Sequence, residues 1–510
     1  MLEKSRRAIW IAILLHFVSP AHASVEDADR AFDAEQYEAG LAELRRLASA
    51  GDPRAEARLG WMMMTGFGTL PRDPVTGRRM MEHAASTGNR EAAIMLAGMM
   101  TVIDPRQEAY EKSGPVLRKY AEQGDAWAQA YLGQRYLHGA GVPRDPVRAL
   151  HWIQSAADQG NAFGAYLLGW MYDAGNGVPQ DSARAVALYR EAAKKNLSAA
   201  EYALGVAYET GRGVETDYLL AMTWYRRAAR HSLSPSMTAI GRLFAKGLGV
   251  AKDEERAAQW LQKGADAGDV TAFVDLGNLY AQGGVDGKPN GERAAQMYRK
   301  AAEAGVIAGW QGLGWMHLNG KGVKKDEAAA FAWYLKAAEA GDPPSQVMAA
   351  RLYLAGRGTP KNVTEGAAWL MRAANAGDPD GQMLLGRLYL WGEPLGRDDV
   401  KGLHWLTQSA IAGNPEGQYW LAKAYREGKH VAVDPVRAYA WMSLAKARGY
   451  ALAAEEAKGL SFDMSQDQVR RGIEAAQQWR IGADIVVAVP PVGGMAVGQF
   501  NLNAPFAPGR

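Results

Sequence analysis

The sequence predicts an all-α fold, an α-solenoid of stacked helix pairs, and three observations support this fold class. A Gly-Asp or Gly-Asn pair, or a variant of it, recurs at intervals of 36 or 37 residues through most of the chain. Each interval holds two stretches with apolar and small residues at the three- and four-residue spacing of a helix. Glycines separate the two stretches. Because a two-helix unit cannot bury its apolar face alone, such units must stack on their neighbours.

Composition excludes several other classes of protein. The 510 residues are 48% hydrophobic, which is ample for a packed core and incompatible with wholesale disorder. The 58 basic and 55 acidic residues nearly balance. This leaves no long-range basic field for nucleic acid, so we expect no nucleic-acid partner. With no cysteine, the chain cannot form disulfides, thiolate zinc sites or iron–sulfur clusters.

The N-terminus has the pattern of a secretory signal. Lys4, Arg6 and Arg7 precede an apolar stretch at 8–18, and Ala21-His22-Ala23 follows it with small residues at the cleavage positions. About 11 apolar residues are too few for a spanning helix, which needs roughly 20. The sequence therefore predicts a signal peptide at 1–23 cleaved after Ala23, a periplasmic or secreted protein, and no integral membrane segment after cleavage.

The repeat register divides the rest of the chain. We expect an N-terminal helical cap at 24–50, a repeat array at 51–448, C-terminal capping helices at 449–482 and a flexible Gly/Pro-rich tail at 483–510. The array contains 11 units, of which the second is degenerate because it lacks the repeat aromatic and the glycine turn; the units are 51–87, 88–123, 124–159, 160–195, 196–231, 232–267, 268–304, 305–340, 341–376, 377–412 and 413–448.

One unit, 196–231, illustrates the pattern within a repeat. A small residue, Gly205, lies nine residues after the start of the unit, in its first helix (helix A), and allows close approach of a neighbouring helix. Gly211 opens a Gly-x-Gly-Val turn that ends helix A. Asp217 stands where an N-cap would stabilise the second helix (helix B). Trp224 belongs to an aromatic series on helix B that recurs in almost every unit, and we interpret this series as core.

These motifs resemble the Sel1-like repeat (SLR), a relative of the tetratricopeptide repeat. The combination Ala-x-x-x-Leu-Gly-x-x-Tyr, Gly-x-Gly-Val, Asp, Trp-Tyr-x-x-Ala-Ala and Gly-Asp extends over 51–448. The resemblance implies a right-handed superhelix whose inner surface, lined largely by helix A, binds other proteins. It also implies a bacterial, exported member, since SLR proteins with signal peptides are often periplasmic and linked to the cell envelope.

No motif for catalysis, metal binding or a cofactor is present in the sequence. The histidines lack metal-ligand spacing, and there is no G-x-S-x-G nucleophile elbow. The Gly-x-Gly turns follow helices rather than strands, so they are helix stops and not phosphate loops. We expect no enzyme activity and no cofactor.

The position that follows the small residue of helix A varies between units, and this variation indicates a binding surface. Helical spacing turns this position towards the inner face, where aromatic residues dominate one half of the series and basic residues the other. Such residues are common in protein hot spots. Together with two tryptophans elsewhere on helix A, the groove candidates are Trp61, Trp127, Trp170, Arg242, Trp315, Arg351, Arg387, Trp391 and Lys423. Tyr419 could extend the same surface.

Two functional classes follow. The favoured one is a non-enzymatic scaffold or adaptor of the bacterial cell envelope that holds a partner protein or peptide in the groove. The alternative is an exopolysaccharide- or peptidoglycan-related secretion or binding factor whose aromatic groove stacks on sugars.

Overall fold

A computed structural model describes residues 23–33, 36–65, 70–71, 73–103, 107–284, 287–391, 396–428 and 431–485. Over these ranges the chain forms 26 α-helices and no strand, so the predicted all-α solenoid class is confirmed. The signal peptide predicted at 1–23 lies outside the described residues except for Ala23, and so does the tail beyond Ile485.

The helices divide between two compact units, 1–309 and 310–510. The first unit contains 16 complete helices within its described residues: α1 (Ala23–Asp33), α2 (Tyr37–Ser49), α3 (Pro53–Thr65), α4 (Pro74–Ser86), α5 (Arg90–Ile103), α6 (Gln107–Glu122), α7 (Ala126–His138), α8 (Pro146–Asp158), α9 (Ala162–Ala174), α10 (Ser182–Lys194), α11 (Ser198–Thr210), α12 (Tyr218–Arg230), α13 (Ser234–Lys246), α14 (Glu254–Asp266), α15 (Ala272–Gln282) and α16 (Gly291–Glu303).

The boundary between the units falls inside α17. The helices from that point onward are α17 (Ile307–Asn319), α18 (Glu327–Glu339), α19 (Pro343–Ala355), α20 (Val363–Asn375), α21 (Pro379–Trp391), α22 (Asp399–Ile411), α23 (Pro415–Glu427), α24 (Pro435–Ala447), α25 (Ala451–Phe462) and α26 (Gln466–Gln478). In this numbering α3 and each odd-numbered helix up to α23 is a helix A, and the even-numbered helix after it is its helix B.

The glycine of helix A marks the closest approach of the two helices of a repeat. A Cβ atom on Gly205 would lie 2.4 Å from the Tyr225 ring on helix B, and one on Gly386 would lie 2.9 Å from Leu406. Farther along the second pair, a Cβ on Gly402 would lie 2.5 Å from Leu390, so the two helices run antiparallel. The small residue predicted from the sequence is therefore the position on which the opposite helix rests.

The residue after the helix-B tryptophan fills this contact, and this corrects the interpretation of the tryptophan series. Tyr225 and Leu406 are fully buried, whereas Trp224 and Trp405, which precede them, are half-buried. Of the series, Trp369 and Trp441 are buried and the remainder are partly exposed; these are Trp152, Trp224, Trp260, Trp333 and Trp405. Three of these five partly exposed rings, on α12, α14 and α18, carry a second contact, because a cation three residues later covers the ring face.

The turns and caps agree with their predicted roles. Gly211 ends α11 in the left-handed region at φ +71°, and Asp217 accepts hydrogen bonds from the backbone N–H groups of Leu219 and Leu220 at the start of α12. The second glycine of the turn serves the stacking of repeats. A Cβ on Gly213 would lie 2.2 Å from the backbone oxygen of Ser182, at the start of helix B of the preceding repeat.

The first residues of the predicted tail, 483–485, are in contact with the second unit. The backbone N–H of Gly482 donates to the oxygen of Ile411, and Trp479 Nε1 donates to the oxygen of Ala483 at 2.7 Å. Ile485 is buried in the hydrophobic core of the second unit. Across the described ranges, no helix combines the length and apolarity that crossing a membrane requires.

Candidate functional site

The groove candidates in the first compact unit, 1–309, have different surroundings. Trp61 is 1% exposed, so its ring is part of the core and not of a binding surface, which corrects that prediction. Trp127 is half-buried and stacks on Phe163, with the ring centroids 6.2 Å apart. Trp170 is half-buried beside His138.

Arg242, the basic candidate of this unit, is held in an ion pair. Its Nε lies 3.0 Å from the carboxylate of Asp275 on the next helix A. Burial raises the pKa of Asp275, and the nearby Arg242 opposes that shift. Because its charge is matched within the unit, Arg242 is a poor candidate for the recognition of an external anion.

In the second unit the structure brings three candidates together. Arg387 and Trp391 lie on α21, and Lys423 lies on α23, the next helix A. All three line a surface depression of about 440 Å³. Arg351 lies on α19, one repeat before Arg387 and at the same repeat position, and it is exposed. Trp315 on α17 is also exposed, at 47%.

Helical spacing produces the surface on α21. Leu384 and Trp391 lie two turns apart, and both Arg387 and Leu388 are three or four residues from each of them, so the four side chains share one face of the helix. The opposite face is buried, and Gln382 anchors it through a hydrogen bond from Nε2 to the oxygen of Ala374 at 3.3 Å.

The same logic orders α23. Glu416, Trp420, Lys423 and Glu427 follow one another at intervals of three or four residues. Gln418, on the buried side, donates to the oxygen of Ala410 at 3.2 Å, as Gln382 does one repeat earlier. Both helix-A surfaces are therefore held in one register relative to the preceding helix B.

The depression formed by these faces is called the Trp391–Trp420 pocket here. The centroids of its two indole rings are 5.1 Å apart. Leucines from α19 and α21 form its apolar wall, and charged groups from α21 and α23 form its rim. The lining residues are Leu354, Leu384, Arg387, Leu388, Trp391, Trp420, Lys423 and Glu427.

Charged groups of both signs fix Trp420. The guanidinium carbon of Arg387 lies 4.2 Å from the centroid of the Trp420 ring, and Lys423 Nζ lies 5.1 Å from it. Arg387 also donates to Glu416 Oε1 at 3.0 Å, and the indole Nε1 of Trp420 donates to the same oxygen at 3.3 Å. Lys423 faces Glu427 at 3.8 Å. Each cation–π contact adds about 0.5–1 kcal/mol, so the ring is held before any partner binds.

A buried tyrosine on α23 connects this helix to α25. Tyr419, expected on the surface, is 3% exposed, which corrects that prediction. Its hydroxyl donates to Glu456 on α25 at 2.5 Å, and Arg426 donates to the same carboxylate at 2.7 Å. Burial, followed by the hydrogen bond to Glu456, raises the pKa of Tyr419 well above its ordinary range.

Sequence reasoning missed Trp420, which is the centre of the pocket. The signal was available, because Trp420 lies three residues before Lys423 and therefore on the same helix face. Its neighbour Tyr419, selected instead, is buried.

The chemistry of the pocket is that of binding. It contains no nucleophile paired with a base, and no histidine. Throughout the part of the chain that the structure describes, no group of three or more His, Asp or Glu side chains could hold a metal ion. The pocket combines a rigid apolar floor with fixed charges, which suits recognition of a side chain.

The fold defines an all-α helical-repeat protein, and the pocket is a candidate binding surface on the A helices of its repeats. Ten segments of the chain match the Sel1 repeat family, and they cover more than half of it: 53–89, 128–161, 162–197, 198–233, 234–269, 274–306, 312–342, 343–378, 379–414 and 415–450. The chain belongs to the Sel1 repeat family. Proteins built from this repeat are generally protein-interaction scaffolds and are typically non-catalytic.

Solved structures of other Sel1 repeat proteins resemble the chain. A protective antigen present in uropathogenic Escherichia coli strains, with an SLR fold, is 27% identical over 86% of this chain and 94% of that protein, with a TM-score of 0.49. A Sel1 repeat protein from Oxalobacter formigenes is 27% identical over 61% of this chain and 90% of its own, with a TM-score of 0.45. No curated protein matches the sequence at a significant level.

Proposed function

We propose that the protein is a non-enzymatic scaffold of the bacterial cell envelope that binds a partner protein in the Trp391–Trp420 pocket. The observation that carries this proposal is the convergence of Arg387, Trp391, Trp420 and Lys423, from the A helices of two consecutive repeats, on one preformed depression. Tryptophan and arginine dominate protein hot spots, and a fixed anchor site costs a partner little ordering entropy.

A saccharide ligand, the alternative function, fits this pocket less well. Stacking of a sugar needs an open aromatic face. The Trp420 ring is already in contact with Arg387 at 4.2 Å and Lys423 at 5.1 Å. A sugar would have to displace at least one of these cations, whereas an aliphatic side chain can pack beside Trp391 and the leucine wall without moving them.

Site-specific photocrosslinking tests the proposal. A photoreactive phenylalanine analogue at Leu388, inside the pocket, should capture a discrete protein in the native host. The matched control places the same analogue at Val400, which lies on α22, helix B of the same repeat, and is 70% exposed. A protein adduct formed only from position 388, identified by mass spectrometry, supports the proposal. Equal adducts from both positions, or glycan adducts from 388, contradict it.

Export is the second part of the proposal. It rests on the basic residues, apolar stretch and Ala21-His22-Ala23 motif at the N-terminus. N-terminal sequencing of the protein from fractionated cells should find Ser24 as the first residue, with the protein in the periplasm or medium. Retention of Met1 in a cytosolic fraction would contradict export.

A further inference from the structure

We propose that the partner's contribution to the Trp391–Trp420 pocket is an acidic peptide segment: one large apolar side chain enters the pocket, and a carboxylate about three residues away pairs with Arg351. This inference rests on the proposed function and specifies the chemistry of the partner.

The size of the pocket favours a peptide segment. This open depression has a volume of about 440 Å³, which is room enough for one large side chain of a longer chain that continues over the surface. Leu354, Leu384 and Leu388 beside Trp391 present only hydrocarbon to the pocket, so a large apolar side chain is the group that fits against this wall.

The charges of the rim determine where an acid could be recognised. Arg387 and Lys423 already face Glu416 and Glu427, so within the pocket their charges are balanced. Arg351 differs from them. It is exposed and forms no hydrogen bond or ion pair with any residue in the described part of the chain.

The repeat geometry gives the spacing between the two contacts. Arg351 on α19 and Arg387 on α21 occupy equivalent positions of consecutive repeats, and packed helices lie about 8–10 Å apart. An extended peptide advances about 3.3 Å per residue, so three residues cover this distance. Leu354, one turn after Arg351, lines the pocket and connects the two contacts along α19.

Selection from random peptides tests this chemistry. A phage library of random 12-residue peptides is selected on the full chain and depleted on the Leu388→Arg variant, so that only pocket-dependent peptides remain. Circular dichroism and a thermal melt establish that this variant folds. We expect the surviving peptides to share a large apolar residue with Asp or Glu about three residues away.

Synthetic copies of the selected peptides then isolate the role of Arg351. Fluorescence anisotropy on the full chain should show about tenfold weaker binding to Arg351→Glu, and similar weakening when the peptide acid is changed to its amide. The Arg351→Glu change lies on the surface and should leave the fold intact. Lys361→Glu is the matched control, because Lys361 is exposed in the same repeat as Arg351 and the substitution makes the same change of charge.

The outcomes separate this inference from the proposed function. Pocket-dependent peptides without acids, or binding that is indifferent to Arg351→Glu, overturn the acidic-segment inference and leave the scaffold function standing. Equal weakening by Lys361→Glu also overturns it, because the effect would then be one of net charge. Failure to recover any pocket-dependent peptide overturns this inference, and failure of the crosslinking at Leu388 as well overturns the function.

Discussion

The guanidinium of Arg227 on α12 donates to the buried carboxylate of Glu201 on α11, with 2.9 Å between Nε and Oε1. It also donates from a terminal nitrogen to the backbone oxygen of Ala193 at 3.3 Å. In four other repeats the position of Glu201 is a glutamine that itself donates to the equivalent backbone oxygen; these are Gln129, Gln346, Gln382 and Gln418. Arg227 thus takes over, from the next helix, the hydrogen bond that a glutamate cannot make.

Removing the arginine should destabilise the first unit. Arg227→Ala leaves a carboxylate that is 1% exposed without its cation and leaves the oxygen of Ala193 without this donor. We expect a loss of about 2 kcal/mol in the free energy of unfolding, measured by urea denaturation at pH 7. Arg226→Ala, one residue away and exposed, is the control and should change stability by less than about 0.5 kcal/mol. Equal effects of the two variants would contradict this role.

The same carboxylate should make stability depend on pH. Burial raises the pKa of Glu201, and the attraction of Arg227 only partly opposes that shift. The contribution of Glu201 to the free energy of unfolding is therefore most favourable at low pH, where Glu201 is protonated in the folded and the unfolded state. This contribution is lost as pH rises from the ordinary glutamate pKa through the raised pKa of the folded state. The Glu201→Gln variant lacks this loss, so its advantage over the natural chain should grow from pH 4 to pH 7 in thermal melts.

The reciprocal variant gives the control for this pH dependence. Gln382→Glu places an acid at the equivalent buried position, where residue 408, the counterpart of Arg227, is a glutamine. This variant should be less stable than the natural chain at pH 7 and should recover as pH falls. A difference between Glu201→Gln and the natural chain that stays constant with pH would show that Glu201 titrates normally.

A third prediction concerns Ser232, which has φ +58° at a position where most repeats have glycine. The left-handed conformation costs a residue with a Cβ roughly 1–2 kcal/mol. Glycine avoids this cost, but it loses more conformational entropy on folding, which offsets part of the gain. Ser232→Gly should therefore stabilise the chain by up to about 1 kcal/mol in thermal unfolding. Asn196→Gly should gain less, because asparagine tolerates this conformation and the Asn196 side chain accepts a hydrogen bond from Arg227. A larger gain at Asn196 would contradict this ranking.

The repeat pattern predicted the turns, caps and contacts that form within a single repeat. The turn at Gly211, the cap at Asp217 and the close contact at Gly205 are local or lie within one helix pair, so their spacing in the sequence is sufficient. The pattern did not predict which helix-A residues stay on the surface. Trp61 occupies the same repeat position as Arg351, yet the one is core and the other is exposed. Their burial depends on side chains contributed by other helices, which the register does not specify.

The pocket shows the same division. The sequence placed Arg387, Trp391 and Lys423 on helix-A surfaces, and the structure brings them to one depression. Helical spacing could have placed Trp420 on the face of Lys423, but not its contact with Trp391, a residue of a different repeat whose ring centroid lies 5.1 Å from that of Trp420. A contact between repeats of this kind depends on rotamers and on the stacking angle, neither of which is encoded in the spacing of one motif.

The last prediction tests the contact on which each helix pair is built. The Cβ atom added by Gly205→Ala would lie 2.4 Å from the Tyr225 ring, and that ring cannot retreat easily because its hydroxyl donates to Glu209 at 2.6 Å. Overpacking of this kind costs about 1–3 kcal/mol, which outweighs the gain in helix propensity of about 1 kcal/mol from replacing a helical glycine. We therefore expect Gly205→Ala to lower the free energy of unfolding.

Gly459 provides the matched control within the same chain. It also lies inside a helix, α25, but a Cβ added there meets no atom within 4 Å. Gly459→Ala should therefore show the propensity gain alone and raise stability by up to about 1 kcal/mol. The two substitutions are chemically identical, so opposite signs in urea unfolding isolate the helix-packing contact. A stabilising effect of Gly205→Ala would mean that the Tyr225 ring adjusts freely and that the glycine is not required for the pairing of the two helices.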